Sequence, residues 1–104
     1  MNKMMMTLPL LLAALPAWAA LNIFATVPEW GALAKEIGGD KVSVYSATTA
    51  LQDPHRLEAK PSLLAQARRA QLLVATGAEL ETGWLPLVIR DSGNSAIQSG
   101  QPGY

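Results

Sequence analysis

Hydrophobic positions in this chain come in short runs separated by stretches of helical period. Leu21 to Val27 (LNIFATV) is a run of strand length, and Ile23, Phe24, Thr26 and Val27 have high strand propensity. Its near-continuous apolarity predicts a strand covered on both faces, as in a parallel sheet. From Pro28 the period changes. Trp30, Leu33, Ala34 and Ile37 fall at i, i+3, i+4 and i+7, one apolar stripe of a helix. Pro28 suits the first helical position, where a missing N–H costs nothing. Glu29 lies near the positive helix start, and Gly38-Gly39 predicts the stop. Lys41 to Ala47 then alternates, with Val42 and Val44 on one side and Ser43 and Tyr45 on the other, a second strand.

A loop from Thr48 to Lys60 follows. Pro61 and Ser62 open a second predicted helix, with Leu63, Leu64 and Ala67 on its apolar side and Arg68 and Arg69 near its negative end. Leu72 to Thr76 reads as a third strand, closed by Gly77. Thr82 is the expected N-cap of a third helix, with Trp84, Leu85, Leu87 and Val88 as its apolar residues. Pro86 is tolerable there because it falls in the first turn, and Gly93 and Asn94 are stop signals. Ser95 to Tyr104 reads as a loop, with a strand starting at Ile97 as an alternative.

The order β-α-β-α-β-α makes strands pair in parallel through right-handed crossovers. The expected class is α/β, a partial doubly wound parallel sheet. A mature chain of about 84 residues is small for such a sheet, and its edge strands are expected to be unprotected.

Composition narrows the class. Half of the 104 residues are apolar, 15% are charged, and acidic and basic residues cancel. That fits one globular domain rather than a disordered chain. No basic stripe appears, so no nucleic-acid partner is expected. There is no cysteine, which excludes a disulfide framework, thiolate zinc sites and a cysteine-linked lipid anchor. Residues 1–19 have the three parts of a cleaved signal peptide. Lys3 supplies the positive start, Met4 to Leu15 an apolar core, and Ala17-Trp18-Ala19 the small-x-small cleavage pattern. The apolar run is well short of the ~20 residues that span a bilayer. The mature chain, residues 20–104, is expected outside the cytoplasm.

The candidate chemistry centres on His55, the only histidine. It follows the second predicted strand, and open α/β sheets bind ligands beyond the carboxyl ends of their strands. Neutral imidazole is the commonest protein ligand for transition metals. An ordinary surface or capping histidine is the alternative, and the residues alone leave both open. Asp53, before a proline, is expected to bond a local backbone N–H. Glu58 is either a partner that orients the imidazole or a solvated carboxylate in a first helical turn. Glu79 and Glu81, near the carboxyl edge of the sheet, are expected in a solvated loop before Thr82, with a metal role as the alternative. Trp30 and Trp84 read as core residues. No G-x-S-x-G, phosphate loop or H-E-x-x-H is present. An enzyme would have to use His55 as general base, with no serine standing out beside it.

These residues do resemble a family. Asp53-Pro54-His55, then Glu58, then Pro61-Ser62, is similar to the DPH-x-x-E-x-x-PS segment of zinc and manganese ABC-transporter substrate-binding proteins. Leu21 to Thr26 resembles their first strand, and Glu36 to Val42 the passage into their second. Leu72 to Glu81, with Trp84-Leu85, resembles their third strand and the turn beyond it. The similarity covers nearly the whole mature chain.

The resemblance implies a periplasmic receptor of two α/β lobes joined by a long helix, with a divalent metal ion held between them. His55 matches the family's first metal-binding histidine. The receptor would be a monomer that hands its cargo to an ABC permease in the inner membrane, with no catalytic cofactor. Zinc is favoured over manganese because imidazole suits it. The family's remaining ligands, two more histidines and a carboxylate, come from later in its chains, as do the second lobe and linking helix. The expectation is therefore the N-terminal lobe alone, binding metal weakly. The alternatives are a secreted α/β enzyme fragment using His55 as general base and a stand-alone interaction module that pairs through its sheet edges.

Overall fold

The computed structural model describes residues 19–104, so the expected signal peptide, residues 1–19, lies outside the described residues but for its last position. The elements alternate as the pattern predicts: β1 (Leu21–Ala25), α1 (Pro28–Gly38), β2 (Val42–Ser46), α2 (Pro61–Arg69), β3 (Leu72–Val74) and α3 (Leu85–Ser92). The strands form one parallel sheet in the order β2-β1-β3. Ile23 sits opposite Val44 on one side and Leu72 on the other. Among the described residues, no helix is long and apolar enough to cross a membrane.

One face of the sheet carries α1, and backbone approach decides how. Gly31 and Gly38 lie two turns apart on the same side of the helix. A Cβ on Gly31 would strike the Ser46 hydroxyl, and one on Gly38 would strike the Val42 side chain. The helix therefore rides directly on β2. This corrects the predicted stripe. Leu33 and Ile37 are exposed, at 49% and 79%, because they lie on the side of the helix away from the two glycines. Gly39, at φ +57°, ends the helix as expected.

The opposite face builds the core. Phe24 and Leu73, side by side in the register, meet Leu63 and Ala67 of α2 and Trp84, Leu85, Val88 and Ile89 of α3. The Phe24 and Tyr45 rings pack tilted, 5.4 Å between centroids. The third helix stops at left-handed Gly93 and has Pro86 in its first turn, both as predicted. Its N-cap differs: the helix starts at Leu85 after Trp84, with no side-chain cap. Thr82 stays exposed in the preceding turn.

Residues 95–97 form a short 3-10 turn instead of a strand. The Asn94 side chain holds this turn to α2. It accepts from the Ala96 N–H and donates to the Ala67 and Ala70 carbonyls. Ile97 is thereby driven into the core. The Gly103 carbonyl then accepts from the Leu73 N–H at 2.7 Å. The outer edge of β3 is thus partly covered, contrary to the expectation of bare edges.

Candidate functional site

The three strands end on a common rim, each followed by a threonine: Thr26 after β1, Thr48 after β2, Thr76 after β3. The loops are stitched together there. Thr48 Oγ1 donates to the Thr26 carbonyl at 2.8 Å. The Trp30 indole donates to Thr76 Oγ1 at 2.8 Å. The Thr26 hydroxyl donates to the Glu81 carboxylate, which also accepts from the Thr76 and Gly77 N–H groups at 2.7 and 2.9 Å.

His55 stands in the loop after β2, exposed at this rim. One carboxylate fixes it. Asp53 Oδ1 accepts from the His55 backbone N–H at 3.0 Å and lies 2.8 Å from ring Nδ1. The backbone bond was expected; the bond to the ring takes the orienting role considered for Glu58. These two bonds, the backbone one first, hold the Asp53 carboxyl below its ordinary range. A carboxylate at Nδ1 selects the tautomer protonated there and leaves Nε2 with a free lone pair. The ring is 62% exposed, so that nitrogen can reach a ligand from solvent.

Two contacts seat the loop. The Trp84 indole, buried at the start of α3, donates to the Pro54 carbonyl at 2.7 Å. Gly83 passes so close that a Cβ there would lie 3.0 Å from the His55 carbonyl. Between this loop and the start of α1 runs a cleft of ≈ 320 Å³ bounded by Trp30, Thr48, Gln52, Pro54 and Thr76. Glu58 is exposed and precedes α2 by three residues, so it belongs to no helical turn. Glu79 is exposed, as expected.

Glu81 corrects the sequence reading. It is 4% exposed, not solvated. Burial alone would raise its pKa, but the bonds from the Thr26 hydroxyl and the Thr76 and Gly77 N–H groups outweigh it and hold the carboxyl below its ordinary range. Trp84 is core, as expected, but its indole N–H is also a tie to the His55 loop. Neither role has a local sequence signal. Gly77, Ala78 and Glu79 all take positive φ and turn the chain back on itself, and nothing in their types foretells it. Among the described residues, no three His, Asp or Glu side chains cluster to hold a metal. His55 is a single candidate ligand.

Comparison with known proteins follows the same lines. The family described as ZnuA, zinc-uptake complex component A periplasmic, matches residues 23–101. The manganese ABC transporter substrate-binding lipoprotein scaA of Streptococcus gordonii is 36% identical over 63 residues, 61% of this chain and 20% of its own. The crystal structure of ZnuA superposes with a TM-score of 0.64 at 31% identity, covering 71% of this chain and 29% of that one. The Zn(II)-bound AdcA of Streptococcus pneumoniae gives a TM-score of 0.59 at 26% identity, covering 71% and 16%. The chain spans about a fifth of the length of the curated relatives it matches. With an α/β parallel-sheet lobe shared with both structures and a family match across most of its length, this chain belongs to the zinc-uptake complex component A family of metal ABC-transporter substrate-binding proteins.

Proposed function

We propose that this chain is the N-terminal lobe of the substrate-binding component of an ABC importer for a divalent transition metal, with His55 as a ligand to the ion it carries. The observation that carries the reading is the His55 ring itself. It faces solvent at the carboxyl rim of a parallel sheet, with Asp53 on Nδ1 and Nε2 free. Metal-bound histidines characteristically donate their other ring N–H to such a carboxylate. The relatives are named for substrate binding in metal transport, which favours a binding protein over a hydrolytic use of His55.

Zinc is preferred over manganese because imidazole is the softer donor; a relative is named for manganese and a structural neighbour holds Zn(II). Residues 1–19 act as a cleaved signal peptide, residues 20–104 work in the periplasm as a monomer, and an inner-membrane permease receives the metal.

One imidazole is a quarter of a tetrahedral zinc shell. Zinc bound by this chain should therefore be weak, in exchange with water. Titration of zinc into the 20–104 chain, followed through the ring protons of its single histidine, should shift that signal without reaching saturation at micromolar zinc. His55→Ala should abolish the residual binding measured by equilibrium dialysis. A submicromolar site in this chain, or zinc binding indifferent to His55→Ala, overturns the reading.

A further inference from the structure

Glu81 is a buried carboxylate with no cation beside it among the described residues, and metal binding at His55 makes no direct use of it. Its position accounts for its cost. In open α/β sheets the crevice between loops that leave in opposite directions is where ligands bind. Here α1, after β1, lies on one face and α3, after β3, on the other. Glu81 fills the gap between those loops with its own carboxylate. It satisfies two backbone N–H groups and a hydroxyl at once. Two non-glycine residues at positive φ, Ala78 and Glu79, bring it back there. Such backbone is strained and persists only where surrounding contacts over-determine it.

The clasp reaches His55 through three further bonds. The Glu81 carbonyl accepts from the Trp84 and Leu85 N–H groups at 3.2 and 2.9 Å, which sets the first turn of α3. That turn points the Trp84 indole at the Pro54 carbonyl, the residue next to His55. We propose that Glu81 is a positioning residue for His55: its clasp on the ends of β1 and β3 sets Trp84, and Trp84 latches the loop that presents the imidazole. This rests on the reading of His55 as the metal ligand. Unlatched, the loop keeps the Asp53–His55 pair, which is local, but loses its fixed place on the rim.

Two variants of the 20–104 chain test it. Glu81→Ala empties the cradle; Trp84→Phe keeps most of the core bulk and removes only the latch N–H. The readouts are exchange of the Trp84 indole proton without metal, and the zinc-induced shift of the His55 ring. In Glu81→Ala the indole proton should exchange at least tenfold faster. Formate, a carboxylate small enough for the vacated cradle, should restore much of that protection where chloride does not. Both variants should need at least threefold more zinc for the same His55 shift. If Glu81→Ala does not fold, Glu81→Gln, which trades one acceptor oxygen of the clasp for an amide, takes its place in both readouts. An unchanged zinc response in either folded variant overturns the positioning role and leaves the ligand reading intact. Indifference of the His55 ring to zinc in the unaltered chain overturns the ligand reading, and the positioning role falls with it. Indole exchange unchanged in Glu81→Ala breaks the proposed link between clasp and latch, whatever zinc does.

Discussion

The loops after β2 and β3 each carry a carboxylate at the same rim, and the two do opposite work. Asp53 is exposed, bonded to its own neighbour two residues on. Glu81 is buried, bonded across the sheet to residues 55 and 5 positions away. A local bond between exposed groups orients one ring and adds little to folding, since water competes for every partner. The Glu81 set gathers three donors, and removing the acceptor strands the fully buried Thr26 hydroxyl away from water. The rim thus divides orientation of an exposed ring from retention of the loops around it; on the proposed reading, the first is presentation of a ligand.

The largest expected effect is at Glu81. Replacing it by Ala leaves the Thr26 hydroxyl and two N–H groups without their acceptor. The expected loss is about 2–4 kcal/mol of unfolding free energy in urea melts. A loss below ~1 kcal/mol would mean that water enters the cradle and that the two carboxylates are not different in kind.

Acid should expose the same contrast. The Glu81 carboxyl is held below its ordinary value of 4.5 in the folded chain. Its contribution is therefore complete above about that pH and is lost as pH falls through the lower folded value. Stability of the unaltered chain should decline across that acid window. Glu81→Gln, which cannot titrate, should decline less steeply there in urea melts taken at successive pH values. Parallel declines would remove Glu81 from the account.

Next in size is the Trp84 latch. Trp84→Phe should cost about 1–2 kcal/mol, a lost buried donor plus a small cavity. The loss should show in urea melts while the exchange protection of the β1 and β3 amides keeps its order. If those amides lose protection along with the latch, Trp84 supports the sheet more than the loop.

What could be read in advance follows the same division between local and distant. The element order, Pro28, Pro61, Pro86 and the stops at Gly39 and Gly93 were legible because each is a local property of backbone or period. The placement of His55 in the loop beyond β2 was legible because a short motif and the strand end point there; its role as a ligand stays a proposal. The α1 stripe was misjudged because the decisive residues, Gly31 and Gly38, have no side chain for a periodicity to register. Glu81 was misjudged because its partner Thr26 is distant in sequence and the left-handed turn that delivers it is built from ordinary residues. The loop after Asn94 was legible, but the burial of Ile97 was not, because an isolated apolar residue cannot announce that the Asn94 side chain will bend the chain under it.

The smallest expected effect on folding is at His55, and it bears hardest on the comparison. The ring is mostly exposed, and its one side-chain partner, Asp53, keeps a backbone bond when the ring is gone. His55→Ala should therefore change unfolding free energy by no more than about 0.5 kcal/mol, the usual range for surface positions. Asp53→Ala should be similarly mild in melts. It should still raise the zinc needed to shift His55 by about tenfold, the lower end of what losing a carboxylate partner costs a metal-bound histidine. The pairing of the two readouts decides the matter. A group kept for presentation moves zinc and not stability, whereas a group kept for the fold moves stability first. If His55→Ala destabilises the chain as much as Glu81→Ala does, the imidazole belongs to the scaffold and the rim has no presenting side.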